Sequence, residues 1–86
     1  MAYYVYILQS LKDQRYYVGS CKNVQARLKF HNMGLQRSTR HRIPFVLVYF
    51  EELPNKTLAL KRERQIKSYK GGVAFKRLIN SGSGPA

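Results

Sequence analysis

The chain of 86 residues carries sixteen Lys and Arg against four acids, a formal net charge of +12. So short a chain makes one domain with a thin core, and 44% apolar residues with seven Tyr and four Phe suit a folded chain rather than a disordered one. A single cysteine, Cys21, excludes an intramolecular disulfide and a cysteine zinc cluster, and no stretch approaches the roughly 20 apolar residues of a membrane span.

The first element is residues 3–9, rich in aromatic and β-branched side chains, which reads as a strand. Residues 12–14 make a polar turn and 16–20 a second strand that closes on Gly19 and Ser20, so the pair is a hairpin. An even loop places Tyr6 and Tyr17 on one side of the sheet; an odd loop places them on opposite sides. Asn23 caps a helix over residues 24–32, stopped by Gly34. Arg27 and His31 lie one turn apart on it. A basic loop follows over residues 35–42. Residues 45–51 form a nearly continuous apolar run opened by Pro44 and are expected as a buried strand. Pro54 turns the chain, Asn55 or Thr57 caps a helix to about residue 69, and Gly71 and Gly72 end it. Residues 73–79 make a last short helix with Phe75, Leu78 and Ile79 on its apolar side, and residues 81–86 a flexible tail. The order β-β-α-β-α-α points to an α+β fold, a three-stranded, mainly antiparallel sheet flanked by helices, with residues 1–80 as the domain.

The bases are spread along the chain rather than gathered in a tail, so nucleic acid is the expected partner; charge alone does not separate DNA from RNA. The basic helix lacks the clean apolar face that embeds in lipid. The apolar start, residues 3–8, lacks the basic lead of a secretory signal, so the cytoplasm is the expected location and no membrane partner is expected. No Walker loop, dinucleotide fingerprint or paired-histidine zinc motif is present. With only Asp13, Glu51, Glu52 and Glu63 as acids, a two-metal carboxylate cluster is not expected. Glu63 stands apart, because it is the only acid in residues 56–70, among six bases. At about 100° per residue it falls in the arc between Ala59 and Ile66 on one side and Leu60 on the other. That angle suits a carboxylate holding a cation near a polyanion; pairing with Lys67 at i+4 is the plainer reading.

What remains is Tyr4-Val5-Tyr6, Tyr17-Val18-Gly19, Arg27 eight residues beyond Gly19, His31 four further on, and Glu63 on the later helix. In these positions the chain resembles the GIY-YIG endonuclease family. The length and the segment Glu63-Arg64-Gln65-Ile66-Lys67 are most similar to small single-domain bacterial members related to the catalytic domain of the excision-repair nuclease. The first signature lacks its glycine, and the asparagine many members carry on the closing helix has no match, Asn80 lying near the chain end.

The resemblance implies a metal-dependent hydrolase of DNA phosphodiester bonds, weakly sequence-specific or directed to nicked or branched DNA, with a link to DNA repair. It implies one Mg²⁺ or Mn²⁺ ion on Glu63 as Lewis acid for the leaving oxygen and Arg27 forked onto the non-bridging oxygens. Tyr6 and Tyr17 share the base and positioning roles, unranked, and His31 relays a proton or orients a tyrosine. A free phenol, with a pKa of about 10, is a poor base at neutral pH, and Arg27 and the metal are expected to favour the phenolate. Lys29, Arg37, Arg40, Arg42, Arg62 and Lys67 are assigned as a group to phosphate contacts, which position a duplex without reading its sequence. The alternatives are a non-catalytic DNA- or RNA-binding module that keeps the fold, and an RNA-associated basic protein that uses its tyrosines for stacking. Oligomeric state is not fixed by the sequence.

Overall fold

The computed structural model describes residues 2–80. Its elements are strand β1 (Tyr3–Ser10), strand β2 (Tyr16–Cys21), helix α1 (Val24–Asn32), a 3-10 turn (Arg40–Arg42), strand β3 (Phe45–Leu53), helix α2 (Lys56–Ser68) and helix α3 (Val73–Ile79). This is the expected order, and the three strands form one antiparallel sheet in the spatial order β2-β1-β3. The expected tail, residues 81–86, lies outside the described residues. No helix among the described residues is long and apolar enough to cross a membrane.

Strand β1 is central. Val5, Ile7 and Leu8 are fully buried and Tyr6 almost so, and burying each such side chain is worth about 1.5–3 kcal/mol. Alternation along β1 splits the interior into two layers. Val5 and Ile7 pack with Val18, Tyr49, Ala59, Ile66 and Phe75 beneath α2 and α3. Tyr6 and Leu8 pack with Cys21 and Phe45 beneath Val24 and Leu28 of α1.

The hairpin loop is even. Ser10 and Arg15 still share a backbone bond of 2.8 Å, so residues 11–14 make the turn. Tyr6 therefore pairs with Gly19 and Leu8 with Tyr17, and both phenols lie on the α1 side of the sheet. Asn23 caps α1 by accepting the Ala26 N–H, and Asn55, not Thr57, caps α2 by accepting that of Leu58. At the end of α1, the Asn32 side chain accepts the Phe45 N–H and donates to the Phe45 carbonyl, tying the helix to the start of β3.

Strand β3 differs from the expectation of a buried strand. It is an edge strand, with Val46 38% exposed. Its register against β1 steps between Ile7, opposite Tyr49, and Leu8, opposite Leu47. This bulge turns Val48 and Tyr49 toward the α2 layer while Leu47 and Phe50 serve the α1 layer. The run is apolar because its residues feed the layers on both faces of the sheet, while its outer edge stays open.

Candidate active site

The site is organised around Gly19. A Cβ built at this position would lie 2.5 Å from the Tyr6 Oη and 2.7 Å from its Cζ. The Tyr6 ring therefore crosses β2 through the space a side chain would fill. Its hydroxyl meets Nε2 of His31 at 3.2 Å, and His31 Nδ1 meets Thr39 Oγ1 at 3.0 Å. His31 and Thr39 are both buried.

The direction of this chain follows from its last member. Thr39 Oγ1 reaches the Gln36 carbonyl at 3.5 Å, and a carbonyl only accepts. If Thr39 donates there, it accepts from His31 Nδ1–H, and Nε2 is left to accept from Tyr6. Burial, with Arg27 adding, holds the imidazole below the usual histidine pKa and so keeps it neutral, as this tautomer requires. The same Gln36 donates from its side-chain amide to the Tyr17 oxygen at 3.2 Å. Loop residues thus hold both phenols, with the Tyr17 ring 4.9 Å from that of His31 and 6.4 Å from that of Tyr6.

Arg27 and Glu63 flank this core without a direct bond to either phenol. The Arg27 guanidinium lies 4.9 Å over the Phe30 ring on the α1 side. Glu63 comes from the other layer: Ser20, which follows Gly19 and faces α2, donates to its Oε1 at 2.7 Å, and Lys67 donates to its Oε2 at 2.7 Å. Tyr6, Tyr17 and His31 thus lie on the α1 side of edge strand β2, and Glu63 on the α2 side beside Ser20. Burial first, then Tyr17 and Cys21, pushes the Tyr6 phenol well above the usual tyrosine range, with Glu63 adding and Arg27 opposing. At Tyr6 lost hydration outweighs the guanidinium of Arg27. Tyr6 is 2% exposed, whereas Tyr17 is half-buried.

Glu63 is held inward, as its helical angle requires, and also pairs with Lys67 at i+4. Leu60, the other flank of that arc, is 40% exposed, so the buried stripe of α2 is narrower than the sequence implies. Of the six bases assigned to phosphates, Lys29, Arg37 and Arg40 are exposed. The other three hold acids: Arg42 holds Asp13 at 3.1 Å, Arg62 holds Glu51 at 2.9 Å, and Lys67 holds Glu63.

Ser20, Gln36 and Thr39 were not singled out in the sequence. Strand alternation turns Ser20 toward α2, a usable signal, but Gln36 and Thr39 sit in an irregular loop with no period to mark them. Among the described residues no group of three or more His, Cys, Asp and Glu gathers as a metal cage. The one carboxylate present fits a hard cation that keeps most of its waters, which would compete for Oε2 with Lys67, a side chain 55% exposed.

The family model described as the GIY-YIG catalytic domain matches residues 2–74. A UPF0213 protein of Staphylococcus haemolyticus is 43% identical over 68 residues, which span 78% of this chain and 82% of that protein. One from Clostridium perfringens is 48% identical over 65 residues, 74% and 69% of the two chains. The solution NMR structure of a UPF0213 protein from Bacillus halodurans superposes with a TM-score of 0.56 at 36% identity, covering 99% of this chain and 89% of that one.

Proposed function

The chain belongs to the GIY-YIG family, and on that premise we propose that it is a metal-dependent endonuclease that hydrolyses DNA phosphodiester bonds. What supports this reading is the crossing at Gly19, where Tyr6 passes to reach His31, Tyr17 lies beside that imidazole, and the neighbouring Ser20 holds Glu63. Burial separates the two tyrosines. Tyr17, half-buried, serves as the base for the attacking water. Tyr6, buried and donating to His31, is a positioning residue, and His31 fixes it. Arg27 forks onto the non-bridging oxygens as charge grows at phosphorus. Glu63 holds one Mg²⁺ or Mn²⁺ ion, which when bound supplies charge stabilisation for the leaving oxygen. Lys29, Arg37 and Arg40 are the exposed bases for phosphates along the duplex. Phosphate contacts position a duplex without reading its sequence, so cutting is weakly sequence-specific or directed by DNA structure.

The test is cleavage of plasmid and branched DNA with Mg²⁺ or Mn²⁺. Glu63→Ala and Arg27→Ala lose cutting while DNA binding persists, and Tyr17→Phe loses about 10²–10⁴-fold in kcat without unfolding. Undiminished cutting by purified Glu63→Ala defeats the assignment. The Lys67 ammonium on Glu63 favours a second reading, a module that binds nucleic acid without cutting it. That reading requires equal affinity in EDTA and no product with any metal, and a preference for RNA in the same assay selects its RNA-binding form.

A further inference from the structure

A cleft of about 630 Å³ opens beside the candidate site, between the start of β2 and the corner joining α2 to α3. This is within the range of about 300–1,000 Å³ typical of small-ligand sites. One wall carries Arg15 and Tyr16, the other Lys67 and Lys70, and Ile66 and Phe75 make the buried floor. No carboxylate lines it. Tyr16 touches Phe75 edge to face at 5.0 Å and is still 43% exposed. Lys70 (φ 52°) and Gln14 (φ 64°), the only described residues other than glycine with positive φ, both line this cleft. The chain therefore adopts a sparsely populated backbone on each side of it.

The cleft is continuous with the candidate site, because Lys67 lines the one and holds Glu63 in the other. Tyr16 and Ser20 are four residues apart on the same strand, or about 13 Å. A nucleic acid strand following the edge of β2 past Ser20 therefore reaches Tyr16 within a few nucleotides.

We propose that this cleft binds an unpaired nucleotide of the substrate strand, its base against Tyr16 and its phosphates between Arg15 and Lys70. The occupant follows from the chemistry. Bases without an acid attract phosphate, an exposed aromatic ring offers a stacking face that any base satisfies, and the apolar floor excludes water. A base enters only when it has left its helical stack, so the site discriminates unpaired from paired strands. The placement next to the cut rests on the nuclease reading; the binding does not.

The test uses the full chain in EDTA, where no cutting occurs. Fluorescence anisotropy measures its affinity for a labelled oligo-dT and for a duplex of equal length. Tyr16→Ala weakens single-strand binding by roughly five- to a hundredfold and leaves duplex binding within about twofold, while Tyr16→Phe keeps both. Lys70→Asn, which retains a residue tolerant of positive φ, reduces the salt slope on the single strand by about 0.7, one phosphate contact. Equal losses on single strand and duplex, or no loss on either, overturn the proposal. So does a cleft that buries the same surface against a second copy of the chain, seen as a Tyr16-dependent dimer by sedimentation. Selective loss with no cleavage by any metal leaves the cleft standing and removes the nuclease; cleavage whose preference for unpaired strands is unchanged in Tyr16→Ala does the reverse.

Discussion

Gly19→Ala is the sharpest test of the crossing between Tyr6 and β2. The added methyl carbon would sit 2.5 Å from Oη, 2.7 Å from Cζ and 3.1 Å from Cε2 of Tyr6. Ordinary van der Waals contact begins at 3.4 Å, so the ring has to retreat by about 1 Å, a shift that a close-packed core resists. Tyr6 is 2% exposed and its hydroxyl is bonded to His31, so it has no solvent to swing into. Overpacking of this kind costs about 1–3 kcal/mol, and leaving a buried donor or acceptor unpaired about 1–3 kcal/mol more. Their sum, about 2–6 kcal/mol, is a large share of the roughly 5–15 kcal/mol a small domain has. The assay is urea unfolding followed by far-UV circular dichroism. Gly19→Ala combined with Tyr6→Phe removes Oη but leaves Cζ at 2.7 Å, so it recovers only part of the loss. A Gly19→Ala chain within about 0.5 kcal/mol of the native one, the range of an ordinary surface change, would refute the packing argument.

Two further outcomes follow from the hydrogen-bond and ion-pair geometry. His31 is buried with its pKa lowered, by burial first and Arg27 second, so the folded chain refuses a proton that the unfolded chain accepts near pH 6.5. Its contribution to stability is complete above about pH 6.5 and is lost as the pH falls from there through the folded value. Urea midpoints measured across this window fall with acid, and His31→Gln, less stable throughout, loses that slope; an unchanged slope contradicts the neutral tautomer. Lys67→Ala removes one of two donors from Glu63. An exposed pair of this kind is worth about 0.2–1 kcal/mol, so stability changes little while Mn²⁺ affinity, measured by titration calorimetry without DNA, rises up to about fivefold. A fall in affinity would mean that the lysine supports the ion rather than competing with it.

The hairpin and the helices were legible because their punctuation is local. Asn23 and Asn55 cap, Gly34 and Gly71 take positive φ, and alternation in β1 assigns the two layers. The apolar run of β3 marks a strand that feeds both layers, but carries no sign of its edge position or of its bulge. The signature spacing aligned Tyr6, Tyr17, Arg27, His31 and Glu63 with one another, but not the difference in burial between the phenols. That difference depends on Gly19 lying opposite Tyr6, a fact of register. Gln36 and Thr39 act through partners up to nineteen residues away, and no window of sequence contains both ends of such a bond.

A sheet of three strands has two margins. One is β2, which carries Gly19 and Ser20; on the proposed nuclease reading, a further strand paired there would crowd the approach of a phosphate. Growth of the sheet is therefore one-sided: a fused domain, an inserted hairpin or a partner's strand can extend it only from β3. By the same logic, an extended peptide made to zip onto β2 would block the site using backbone bonds alone, with no need to imitate DNA.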